Sequence, residues 1–133
     1  MQDMAEVKRK SRLLAASFAG AAVVFVAVFS LADVGEPPSP DLADGAALAA
    51  AVLGVVGVLV ALQWWSRAGE QTRTPANVQM GFIVRVAIAE LGLLVGIMGV
   101  FLTGSLTGAM IGIVLFLLSL LLLVTGLGRI PEV

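Results

Sequence analysis

The chain contains no cysteine and no histidine. Their absence excludes disulfides, zinc fingers, iron–sulfur clusters, histidine-ligated haem, cysteine nucleophiles and every histidine-based triad. Charge is scarce as well. Only 13% of the residues are Asp, Glu, Lys or Arg, against about a quarter in a typical soluble domain. Hydrophobic residues make up 59% of the 133 positions, and the mean hydropathy is +1.05. Such a chain is neither an ordinary soluble domain nor a disordered one. The formal net charge of −1 offers no basic excess for a nucleic-acid partner. No P-loop or Gly-x-Gly-x-x-Gly motif occurs, and no metal site or cofactor is expected. No spacing brings a nucleophile, a base and an oxyanion site together, so an enzyme is not expected. The segments outside the apolar runs are too short to fold as a domain. What remains is a small multi-pass integral membrane protein, whose partners include the lipid bilayer.

Three runs carry no charge: 13–32, 45–66 and 91–128. A hydrocarbon core of roughly 30 Å needs about 20 helical residues at about 1.5 Å each. The third run is close to twice that length and must fold back. The turn is legible at Thr103-Gly104-Ser105-Leu106-Thr107-Gly108. In lipid each span must satisfy its own backbone, which calls for helices. The expectation is an all-α four-helix bundle of up-down topology, one transmembrane domain over 1–133, with helices at about 12–32, 44–66, 77–103 and 107–128. The first run is longer than the core of a signal peptide, so this helix is expected to be retained.

Orientation follows from Lys and Arg. The N-terminal segment carries Lys8, Arg9, Lys10 and Arg12. The loop 33–43 holds Asp33, Glu36 and Asp41, with Asp44 just beyond it, and no base. The loop 67–76 has Arg67 and Arg73, and the tail has Arg129. Both termini are therefore expected in the cytoplasm and the first loop outside, in a bacterial or archaeal cytoplasmic membrane. Trp64 and Trp65 close the second helix where indoles favour the interface, and are expected to anchor it. Pro37, Pro38 and Pro40 point to an extended, non-helical connector. Asp44 is positioned to cap the second helix.

Glu90 is the informative residue. It falls about midway along the third helix, where an ionisable group is costly and a functional candidate. It is the candidate ion- or proton-binding residue. Arg85 lies five positions earlier, roughly 140° away around the helix. Pairing within one helix prefers spacings of three or four, so an Arg85–Glu90 pair is expected only between helices or between protomers. Gly81, Arg85, Gly92, Gly96 and Gly99 share one stripe of the third helix, and Glu90 sits on the other side with Ile83, Val86, Ala87, Leu93, Leu94, Ile97 and Phe101. Small residues mark close helix approach in membranes, so the glycines should pack inside the bundle. Glu90 then meets lipid, a second packing face or another subunit, either protonated or covered by a neighbour.

The stretch Arg85-Val86-Ala87-Ile88-Ala89-Glu90-Leu91-Gly92-Leu93-Leu94-Val95-Gly96 resembles the second helix of rotary ATP synthase subunit c. That family places an essential carboxylate mid-helix, often in an Ala-Glu context. A polar cytoplasmic loop with Arg and Pro precedes that helix, and Arg67 to Pro75 looks similar. The resemblance covers about half the chain and implies a hairpin of helices two and three, a ring-like oligomer and reversible protonation of Glu90. The first helix of that family's hairpin is dense in glycine, whereas here only Gly54 and Gly57 lie in the core of helix two. A further helix flanks the hairpin on each side. The small multidrug-resistance transporters also have four helices and one key Glu, but theirs is in the first helix.

Three functions are compatible with these features. The chain's small size and small-residue stripes favour an accessory or assembly subunit of a membrane complex, with other subunits as partners. The alternatives are a homo-oligomeric, subunit c-like protein that binds a proton or cation at Glu90, and a small dimeric transporter.

Overall fold

The structure, a computed structural model, describes residues 3–31, 35–69 and 74–131. Among them are four long helices, no strand, and one short 3-10 turn. The helices are α1 (Met4–Leu31), α2 (Ala43–Arg67), α3 (Pro75–Thr103) and α4 (Thr107–Arg129). Each is long and apolar enough to cross a membrane. The chain is a four-helix bundle with the architecture of a multi-pass integral membrane protein.

Local chemistry explains most of the boundaries. Thr74 caps α3 by accepting from the Asn77 N–H at 3.2 Å, with Pro75 in the first helical position, where a missing N–H costs nothing. Gly104 ends α3 in the left-handed region, at φ 71°, where glycine avoids the Cβ clash. Its N–H donates to Val100 O at 2.9 Å. Thr103, Ser105 and Thr107 then bond one another through a three-residue reversal, Gly104 to Leu106. The turn expected at 103–108 is where α3 folds back into α4.

Three expectations are corrected. The first helix starts at Met4, not near residue 12. Asp3 accepts from the Glu6 N–H at 2.7 Å, Glu6 pairs with Lys10 at 3.1 Å, and both contacts extend the helix through the basic cluster. The proline-rich connector is not wholly extended, because Pro40–Leu42 form a 3-10 turn with Pro40 at its start. Asp44 does not cap α2: the cap position is Leu42, with no side-chain bond. Asp44 lies in the first turn, where its charge complements the helix dipole. Asp33 of the first loop and Arg73 of the second lie outside the described residues.

The packing is uneven. α2, α3 and α4 contact one another extensively, and α1 lies against α3 and α4 with far fewer contacts. Glycines account for the close approach of the three. Gly92 faces the Ala50 and Gly54 backbone of α2, Gly96 faces Gly108 and Ala109 of α4, and Gly57 faces Ala89. Apolar faces gain little from meeting each other in lipid, so van der Waals contact at short range holds such helices together.

α1 is tethered differently. Buried Lys8 donates from Nζ to Ile130 O at 2.6 Å, just past the end of α4. Arg129 Nη1 donates to Trp65 O at 2.9 Å. At the other end, the Ser39 N–H donates to Leu102 O at 2.8 Å. Lys8→Met keeps the apolar stem and removes the charged donor. It is expected to lower stability by about 1 to 2 kcal/mol, read as a lower thermal unfolding midpoint in detergent.

Candidate functional site

Successive residues of α3 face different neighbours because each step turns about 100°. Ala89 is buried against Gly57 of α2. Gly92 is buried against Gly54. Glu90 lies between these positions in sequence but turns the other way, towards α1, and is half-buried. α1 gives Glu90 a second packing face, and the rest of its surface stays exposed.

Glu90 is part of the wall of two cavities. The larger, about 290 Å³, is bounded by Phe18, Ala22 and Phe25 of α1, Glu90 and Ile97 of α3, and Phe116 of α4. The smaller, about 90 Å³, lies among Leu14 and Phe18 of α1 and Ile83, Val86, Ala87 and Glu90 of α3. Phe18 and Glu90 belong to both, so the carboxyl stands at the junction of one apolar seam. No other side chain lining either cavity is polar or titratable. Among the described residues no hydrogen bond or ion pair reaches the Glu90 carboxyl. Phe29 continues the seam, meeting Phe25 at a ring-centroid distance of 6.2 Å and Phe101 of α3 edge-on at 5.0 Å.

Arg85 faces elsewhere. Its Nη1 donates to Gly81 O at 3.1 Å, and its guanidinium stacks over the Trp64 ring at 4.8 Å from the centroid. No bond joins Arg85 and Glu90, as their angular separation dictates. Gly81 is half-buried, and a Cβ there would meet Arg85 Nη1 at 3.0 Å and Trp64 Cζ3 at 3.1 Å. It makes room for this stack rather than for another helix backbone. Gly92, Gly96 and Gly99 are buried in the bundle as the stripe anticipates.

Trp64 requires a correction. It is not displayed at an interface: it is 1% exposed, its Nε1 donates to Leu123 O of α4 at 3.2 Å, and Phe82 meets it edge-on at 6.4 Å. An indole inside the bundle needs an acceptor for its N–H, and the α4 backbone provides one. Trp65 is half-buried, with the Arg129 guanidinium over its ring at 4.2 Å.

Sequence reasoning missed the aromatic wall opposite Glu90. Phe18, Phe25 and Phe29 recur at spacings of seven and four, which places them along one stripe of α1. The signal was present but weak in a helix apolar on every side. The burial of Lys8 was also missed, because a basic N-terminal cluster ordinarily reads as a topology signal.

The described residues contain no group of His, Cys, Asp or Glu able to hold a metal ion. No family model matches the chain, and neither a curated protein nor a solved structure does.

Proposed function

We propose that the protein is a non-enzymatic membrane protein that reversibly binds a proton at Glu90. One observation carries this reading: the carboxyl opens into an apolar seam between α1 and α3 with no partner among the described residues. An unpaired carboxylate in such surroundings is costly, and a proton removes the cost. A hard metal cation needs several oxygen ligands, and the lining side chains other than Glu90 offer none. The donor set therefore favours a proton over a metal ion. The resemblance of Ala89-Glu90 and its flanks to subunit c supports the same chemistry.

The reading includes an up-down arrangement with both termini in the cytoplasm. It is supported by the Lys8–Ile130 and Arg129–Trp65 bonds at one end and the Ser39–Leu102 bond at the other. The basic residues Lys8, Arg9, Lys10, Arg12, Arg67 and Arg129 belong to the first end, as cytoplasmic residues do.

A hydrophobic carbodiimide, applied to native membranes across a pH series, tests the site. It attacks protonated carboxyls reachable from lipid. Selective modification of Glu90, located by mass spectrometry and declining as pH rises, is the expected result. An unmodified Glu90 across the series overturns the reading.

The role of accessory subunit is a second reading. The outer face of α2 exposes Leu48, Val52, Val55, Leu59 and Leu62, a surface that fits lipid or another subunit equally well. Co-purification of a stoichiometric partner from mild detergent supports it. Glu90→Gln would then impair assembly.

A further inference from the structure

We propose that the groove between α1 and α4 binds one anionic phospholipid, with its phosphate on Arg12 and an acyl chain below. The groove has a volume of about 300 Å³. Arg12 stands at one end, and the walls below it are Ala15 and Ala19 of α1 and Leu117, Leu121 and Val124 of α4. From Arg12 to Ala19 the helix descends about 10 Å, a depth that takes the upper part of an acyl chain. Alanine on α1 hollows the surface, and leucine and valine on α4 form an aliphatic wall. Apart from Arg12 the groove presents no polar side chain.

The charge arrangement selects the headgroup. Lys8 is committed to Ile130 O, Lys10 to Glu6, and Arg129 to Trp65. Arg12 is exposed, and among the described residues it makes no hydrogen bond or ion pair. Its Nη2 lies over the last turn of α4, 3.9 Å from where a Cβ on Gly128 would stand. Arg12 therefore meets phosphate at the mouth of the groove, where a planar guanidinium offers two parallel donors. Exposed Arg9 adds to the positive field at this end. The opposite end carries Glu36, Asp41 and Asp44 and repels an anionic headgroup. The site thus belongs to the leaflet on the Lys8 side. A free phosphate ion would gain nothing from the aliphatic walls, and in a zwitterionic lipid the choline cation offsets the attraction of the phosphate to Arg12 and its basic neighbours.

The test uses the full-length protein, stripped of lipid in a maltoside detergent and examined by native mass spectrometry. Phosphatidylglycerol is titrated against phosphatidylcholine. One phosphatidylglycerol retained per chain is expected, with a preference of about fivefold, the worth of one basic group near a membrane surface. Arg12→Gln should abolish the preference and Arg12→Lys should retain part of it. Filling the groove with Ala16→Leu and Ala19→Leu should weaken retention of both lipids while leaving Arg12 in place. Arg12 bonds nothing among the described residues, so its variants are expected to unfold at the wild-type temperature.

Equal preference in wild-type protein and Arg12→Gln would assign the effect to the diffuse charge of the basic end and overturn the proposal. Displacement of the lipid by inorganic phosphate would mean an anion site alone, and would overturn it too. A stable homodimer that forms without lipid and is broken by the groove-filling pair would mean that a second copy occupies the groove.

Discussion

Gly92→Leu is expected to prevent α2, α3 and α4 from closing on one another. A Cβ on Gly92 would stand 2.6 Å from Gly54 N and 3.0 Å from Ala50 O. Both are backbone atoms in the middle of a helix, and neither moves without shifting the helix that carries it. On its other side, Gly92 O would lie 2.9 Å from a Cβ added at Gly112, so α4 is packed as closely as α2. The same crowding holds one turn further on, where a Cβ on Gly96 would lie 2.7 Å from Gly108 C and 2.9 Å from Ala109 Cα. Overpacking against side chains costs about 1 to 3 kcal/mol because side chains give way. Against backbone on two helices, a leucine should cost roughly 3 kcal/mol or more. Helices in lipid are held by contact at short range, so the loss falls on the interaction that closes the bundle. The check is thermal or denaturant unfolding in detergent, followed by circular dichroism. Gly20→Ala and Gly45→Ala are the controls, since a Cβ at either position meets nothing within 4 Å. Both should leave stability unchanged or raise it by up to about 1 kcal/mol, by favouring the helix. If Gly92→Leu unfolds with these controls, the close approach of the three helices is wrong.

Trp64→Ala is the second large effect. Trp64 is among the largest fully buried side chains, and it joins three helices. The indole N–H reaches α4 at Leu123 O, the ring edge meets Phe82 of α3, and Arg85 of α3 stacks on its face. Truncation leaves a cavity under Gly126, whose missing Cβ would otherwise lie 2.7 Å from Trp64 Cδ1. A loss of about 3 to 5 kcal/mol is expected. Trp64→Phe keeps most of the volume and removes the hydrogen bond, for about 1 to 2 kcal/mol. Trp65→Ala should cost about 1 kcal/mol or less, because that ring is half-exposed and its main polar contact is the Arg129 stack. Equal losses at Trp64 and Trp65 would argue that both rings sit at the interface.

The two tryptophans mark where the sequence is legible and where it is not. Adjacent on α2, they differ by about 100° in direction. A pair of indoles at the end of an apolar run is a fair sign of an interface, but it does not say which of the two turns inward. That depends on α4 offering Leu123 O at the right height and Gly126 leaving the space. Glu90 shows the opposite case. The glycines of α3 lie on one stripe and the carboxyl on the other side, so its separation from the tight core was readable from α3 alone. What covers it was not. Phe18, Phe25 and Phe29 are more than 60 residues away in the chain, and nothing local links them to Glu90.

By itself the sequence determined the number of spanning helices, the turn at Gly104 and the division of α3 into a glycine stripe and a Glu90 side. These rest on hydropathy, on backbone conformation and on angular spacing within one helix, and all three are local. The tertiary structure alone decided that α1 covers Glu90, that Trp64 turns into the bundle and that Lys8 reaches the end of α4. The physical reason is common to the three. A helix in lipid is apolar on every face, so periodicity does not say which face meets a neighbour. The choice is made by shape and by a few buried hydrogen bonds between residues distant in the chain.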